Sequence, residues 1–141
     1  MNMAQSVTQP MTQVMNRITP MTVTVHQHGE ATVVEVRGEV DLLTAPRLRE
    51  TVVAMLDHEP PVVVIDLLEV GFVGTAGFAA LIEAQHRTGD RTRLRIAAPA
   101  RMTRQLQLIG VDRRLACYPT RDEALAPPSL RLGAGRLSGD E

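Results

Sequence analysis

The chain has 141 residues, 44% of them hydrophobic, which is one domain's worth with enough apolar content for a proper core. Fifteen basic residues, all Arg, stand against sixteen acidic ones, and this balance does not point to nucleic acid or an anionic membrane as a direct partner. A single cysteine, Cys117, excludes an intrachain disulfide and suits a reducing, cytoplasmic setting, and no apolar run approaches the roughly 18 residues of a membrane span, so no membrane insertion is expected.

Residues 1–20, rich in Gln, Thr, Met and Asn with Pro10 and Pro20, have no sustained period and read as a disordered N-terminal extension. Met21 to Gln27 and Ala31 to Arg37 are alternating runs joined by His28-Gly29-Glu30, a hairpin signal. After Gly38-Glu39-Val40-Asp41, Thr44-Ala45-Pro46 supplies a cap and an early proline. Leu48, Val52, Met55 and Leu56 then follow at helical spacing to about His58. Pro60 and Pro61 break the chain before Val62 to Ile65, four consecutive β-branched residues that suit a strand covered on both faces.

A second helix places Phe78, Leu81, Ile82 and Gln85 on one face, with Gly89 where a stop is expected. Leu94 to Ala97 is another strand. Pro99 opens a helix with Met102, Leu106 and Ile109 on one face, closed by Gly110. Leu115 to Tyr118 forms a last short strand, Asp122 to Leu125 begins a final helical turn, and residues 127–141 read as a flexible tail. The order ββαβαβαβα over residues 21–126 predicts a single α/β domain, a mixed sheet with right-handed crossovers and helices mainly on one face.

The loop between the buried strand and the second helix carries the chemistry. Thr75 falls at or next to the helix N-cap, where its oxygen can accept a free N–H. The same place favours an anion, because unpaired N–H groups and the positive dipole end converge there. Thr75 is therefore either a cap or a phosphoacceptor. An enzyme reading fails on detail: Gly74-Thr75-Ala76-Gly77 lacks the Gly-x-Ser-x-Gly spacing of a nucleophile elbow, and a chain without Lys has no phosphate-binding Gly-Lys-Ser/Thr loop.

Three stretches together resemble the STAS domain of bacterial anti-sigma factor antagonists: Val36-Arg37-Gly38-Glu39-Val40-Asp41, then Val63, Ile65, Asp66 and Leu67 with Val70 and Phe72, then Gly74-Thr75-Ala76-Gly77. The last lies where the family usually has Asp-Ser-Ser-Gly, its first Ser being the phosphoacceptor, so the resemblance carries that role onto Thr75. Gly74 and Ala76 replace the usual Asp and second Ser. The resemblance implies a binding protein with no cofactor and no catalytic activity. It would antagonise an anti-sigma factor that is also a serine/threonine kinase, with a phosphatase resetting the switch. Asp41, Thr44, Gly74, Thr75, Ala76, Gly77 and Phe78 become the partner-binding candidates. The same resemblance admits a second reading, a non-switching scaffold or the cytoplasmic subunit of a lipid-transport ABC system, and leaves self-association open.

Asp41 is equally a turn residue, and Asp66 reads as a loop-ordering acceptor. His26 and His28 form a pair with no third ligand nearby, so no metal site is expected. Cys117 reads as a strand residue, and Arg101 and Arg104 as a solvated helix face.

Overall fold

The computed structural model describes residues 21–109 and 115–126; the expectations for residues 1–20, Gly110 and 127–141 lie outside them. The alternating runs form a hairpin of β1 (Met21–His28) and β2 (Ala31–Val40), with Met21 opposite Gly38 and His28 opposite Ala31. Its two-residue loop sets Gly29 at φ +64°, the positive value a type II′ turn asks of its first loop residue. β2 does not end at Arg37 as expected. Gly38, at φ +100°, absorbs a register shift against the neighbouring strand and returns the chain to the sheet, where Val40 is fully buried.

The remaining elements are α1 (Ala45–Asp57), β3 (Val62–Val73), α2 (Thr75–Arg87), β4 (Arg93–Ala97), α3 (Ala100–Leu108), β5 (Ala116–Tyr118) and α4 (Arg121–Leu125). The sheet order is β1-β2-β3-β4-β5, antiparallel at β1/β2 and parallel thereafter. With strands added one after another in the same direction, crossovers of a single hand keep the connecting helices on one side. Leu48 and Val52 from α1, Leu81 and Ala84 from α2, and Met102 and Leu106 from α3 accordingly share one core with Val34, Val63, Ile65 and Ile96. Each such burial contributes about 1.5–3 kcal/mol for a large aliphatic side chain. The opposite face has a smaller cluster, in which Val33, Val64 and Ala97 are covered by Ala124 of α4.

β3 is longer than its apolar run suggested. Val62 to Asp66 pair with both neighbours, whereas Glu69 to Val73 pair with β2 alone, across two register shifts. The far half is strand rather than loop, with β1 flanking β2 as far as Gly38 and only the Glu39–Val40 and Phe72–Val73 pairs running beyond it, and it carries the chain to Thr75. Two helix ends also differ from expectation. α2 stops at Arg87 with Thr88 as its C-cap, so Gly89 is not needed as a left-handed stop. Ile109, placed by periodicity on the buried face of α3, is that helix's C-cap and 48% exposed, since the helix ends one residue before it.

Candidate functional site

At the C-terminal ends of β2 and β3 two loops lie side by side, because Glu39 is paired with Phe72 and Val40 with Val73. The Gly74 N–H donates to the Val40 carbonyl at 2.8 Å and ties the start of α2 to the end of β2. The β2–α1 turn, Asp41 to Thr44, and the α2 start, Gly74 to Phe78, are thereby brought to one end of the sheet.

The β2–α1 turn is built by its own polar side chains. The Asp41 carboxylate Oδ1 accepts from the N–H groups of Leu43 at 3.0 Å and Thr44 at 3.1 Å. The Thr44 hydroxyl accepts from the Asp41 N–H at 2.9 Å and lies 2.9 Å from the Glu39 carbonyl, to which it donates. Thr44 is the N-cap residue of α1, but in an αR conformation its hydroxyl turns back to the loop and makes no bond to the helix. These bonds force Leu42 and Leu43 outward, 78% and 61% exposed. Both were missed in the sequence, although an apolar pair inside a turn framed by Asp and Thr was the available signal.

The expected capping role of Thr75 does not hold. Gly74 is the N-cap, extended at φ −90° and ψ −176°, and Thr75 is the first helical residue, with no side-chain cap bond. One residue's displacement along the helix points its hydroxyl to solvent, and Thr75 is exposed. The Gly74 carbonyl takes the N–H groups of Gly77 and Phe78 at 2.9 and 3.1 Å. The N–H groups of Thr75 and Ala76 belong to the first turn, which a helix leaves without intrahelical acceptors. A hydroxyl beside that end of a helix stands where added negative charge is stabilised.

The other candidates take distinct positions. Ala76 and Phe78 are half-buried and pack against the main core, while Gly77 is buried. A Cβ on Gly77 would lie 2.7 Å from Val73 Cγ1 and 2.8 Å from Val40 Cγ1, so this glycine lets the helix approach the strands and offers no contact surface. Phe72, named in the sequence only as part of a strand pattern, is 53% exposed next to the Thr75 loop. It borders an open groove of about 360 Å³ between Gly71–Val73 and the α3 residues Arg101, Gln105 and Leu108. Arg101 Nη2 reaches the Gly71 carbonyl at 3.4 Å, so it is not wholly a solvated side chain.

The remaining polar groups are structural. Asp66, 4% exposed, accepts from the Leu68 N–H at 3.0 Å and from Arg121 Nε at 2.7 Å. Arg121 also lies 3.2 Å from Glu35, which Arg37 meets at 2.9 Å. Burial pushes the Glu35 carboxyl up, but Arg121 and Arg37 together outweigh it and hold the group below the usual carboxylate value. The Asp66 hydrogen bond, followed by the charges of Asp66 and Glu35, raises the Arg121 guanidinium further above its ordinary value. His26 pairs with Glu35 at 3.5 Å, and among the described residues no group of three His, Cys, Asp or Glu side chains could hold a metal ion. Cys117 is half-buried in β5 against the main core. No described helix is long and apolar enough to cross a membrane.

At this end of the sheet the Asp41 and Thr44 side chains are spent on the turn, and Leu42, Leu43, Phe72 and Thr75 are left exposed. The family model described as "Mlab, STAS domain" matches residues 23–118. The chain belongs to the STAS domain family of anti-sigma factor antagonists. It is 32% identical over 106 residues to the anti-sigma-F factor antagonist RsfB of Mycobacterium tuberculosis, covering 74% of this chain and 87% of that one. A crystal structure of an anti-sigma factor antagonist from Mycobacterium paratuberculosis matches with a TM-score of 0.70 and 36% identity, over 74% of this chain and 91% of the other. The antagonist SpoIIAA in its unphosphorylated form shares the fold, with a TM-score of 0.58 at 12% identity over 84% of this chain and 99% of that one.

Proposed function

We propose that this protein is an anti-sigma factor antagonist that acts in the cytoplasm. It binds an anti-sigma factor through the end of the sheet formed by Leu42, Leu43, Phe72 and the start of α2, and so releases a sigma factor. What carries the reading is the exposed Thr75 hydroxyl at the first position of α2, in a chain 32% and 36% identical to two antagonists. The anti-sigma factor is a serine/threonine kinase that phosphorylates Thr75, and a phosphatase restores the hydroxyl. A phosphate there adds about −1.5 to −2 charges and three acceptor oxygens. The helix start tolerates that charge, whereas an apolar interface beside it does not, so phosphorylation changes the partner and leaves the fold. The protein itself binds and does not catalyse.

Two measurements test this. Incubation with the cognate kinase and ATP should add one phosphate to the wild type and none to Thr75→Ala; unchanged intact mass with every cognate kinase would remove the switch. Thr75→Glu should weaken binding of the anti-sigma factor tenfold or more, about 1.4 kcal/mol or above, with an unchanged melting profile. Equal affinity would show that charge at Thr75 is not the signal.

Gly74 and Ala76, in place of an acid and a second hydroxyl, favour a second reading: a scaffold or transporter subunit bound constitutively by the same surface. A pull-down from native cytosol separates the two, since recovery of ABC-transporter subunits without a kinase would select the second.

A further inference from the structure

β1 closes one edge of the sheet, and among the described residues nothing pairs with its outer side. Its pairing with β2 keeps one register from end to end, and the two-residue loop makes His28 and Ala31 the closing hydrogen-bonded pair. Bonded and non-bonded pairs alternate along an antiparallel ladder, so Thr22, Thr24, His26 and His28 commit their backbone groups to β2. Met21, Val23, Val25 and Gln27 turn theirs outward. The Met21 carbonyl agrees with this parity, since it accepts from Arg47 Nη1 at 3.3 Å. The N–H and C=O groups of Val23, Val25 and Gln27 are left as a row along the edge.

Sheet edges are ordinarily blunted by charge, proline, a bulge or brevity. β1 has none of these: it runs for eight residues with no Asp, Glu, Lys, Arg or Pro and no register shift. β5, at the other edge, has three residues and is blunted by its length. A sheet open along one edge only joins like to like about a two-fold axis and closes, whereas two open edges would build a filament. The β1 edge is complementary to itself. With Val25 on the axis, Val25 faces Val25 of the second copy and Val23 faces Gln27, and at each of these pairs an outward N–H meets an outward C=O. This register engages every free residue of the edge, without the Met21 carbonyl that Arg47 occupies and without the turn at Gly29. It brings no like charges together. Val25, 41% exposed and on the same face as the core residue Met21, gains an apolar cross-strand neighbour.

We propose that a second copy of this chain pairs with the β1 edge, antiparallel about a two-fold axis through Val25, and joins two five-stranded sheets into one. Met21 pairs with Gly38, at the end of the sheet that carries the Thr75 loop. Antiparallel pairing therefore sends the two Thr75 ends to opposite ends of the dimer, and both stay open. A dimer that holds two anti-sigma factors is a consequence that rests on the binding role proposed above; the pairing itself does not.

Sedimentation equilibrium on the full chain, from micromolar to millimolar protein, should show the mass rising from that of one chain toward that of two. Val25→Lys sets two ammonium groups face to face on the axis and should move the midpoint of that rise to roughly tenfold higher concentration or more. Amide exchange on the wild type needs no variant: protection of Val23, Val25 and Gln27 should grow with concentration, while Thr22, Thr24 and His26 stay protected throughout. A single-chain mass over the whole range would overturn the proposal. So would dimerisation that Val25→Lys leaves unchanged, which puts the contact elsewhere, or protection of Val23, Val25 and Gln27 that ignores concentration, which means a strand supplied within one molecule. No anti-sigma factor is present in either experiment, so a failure of pairing and a failure of the antagonist reading are told apart.

Discussion

Gly74 and Gly77 sit three residues apart and are glycine for opposite reasons. A methyl on Gly77 would press against Val73 and Val40, both buried and branched at Cβ, so neither can swing aside. Overpacking of this kind costs about 1–3 kcal/mol, and the gain in helix propensity from Gly to Ala returns about 1 kcal/mol at most. Gly77→Ala should lower stability by about 1–2 kcal/mol in denaturant unfolding; an unchanged midpoint would show that the helix can lift off the strands freely. At Gly74 the added Cβ would meet Phe72 Cε2 at 3.3 Å and Cζ at 3.5 Å, on a ring 53% exposed, and the Val40 carbonyl only at an ordinary 3.8 Å. Its extended backbone already suits a capping side chain. Gly74→Asp should raise stability by about 1 kcal/mol, through a cap, a favourable charge at the helix start and a stiffer unfolded chain. Thermal melting several degrees higher is the expected reading; a lower one would place the Asp side chain away from the helix N–H groups.

The shortest helix is held by the longest-range polar contacts. α4 has five residues, one buried alanine and a single side-chain cap, the Thr120 hydroxyl accepting from the Glu123 N–H at 3.1 Å. Its docking depends on Arg121, which binds Asp66 and Glu35 across the sheet, and on Arg95, whose Nη1 donates to the Ala124 carbonyl at 2.8 Å. Glu35 gives this arrangement a pH dependence of fixed sign. Because its folded-state value lies below the ordinary 4.5, its contribution is present above that pH and is lost as pH falls through the lower, folded value. Glu35→Gln should remove part of the acid limb of a stability–pH profile while leaving the region above pH 6 flat; an identical acid limb would assign acid sensitivity to other carboxylates.

None of this network was legible in the chain, where Glu35, Asp66 and Arg121 are separated by some thirty and fifty-five residues. The element order was legible, because it rests on local signals: alternation in β1, the proline and glycine breaks, and the apolar spacing of α1 to α3. The far half of β3 was not. Leu67 is buried, Leu68 half-buried, Glu69 exposed and Val70 buried, and Gly71 and Phe72 are both exposed, so the register shifts erase the period of two. Thr75 was found for its place in the loop, and its capping role misassigned by one residue, because Gly74 can cap with backbone alone.

Across the molecule, stability and recognition occupy different ground. The two apolar clusters lie on the faces of the sheet, under α1 to α3 on one side and α4 on the other, and both are closed. The exposed aliphatic pair Leu42 and Leu43 belongs to neither cluster and is held out by the Asp41 and Thr44 hydrogen bonds, which use backbone and not the leucine side chains. Replacing both leucines by serine therefore removes little buried area, since they are 78% and 61% exposed, and surface changes of this kind stay within about 0.5 kcal/mol of stability each. A docked anti-sigma factor would desolvate these side chains, and central apolar anchors in such interfaces carry about 2 kcal/mol or more. Leu42→Ser/Leu43→Ser should unfold at the wild-type denaturant midpoint yet bind the anti-sigma factor some thirtyfold more weakly, with titration calorimetry as the measurement. Loss of stability in parallel with affinity would mean that the pair supports the turn; undiminished affinity would move the interface from the β2–α1 turn to the groove between Phe72 and α3.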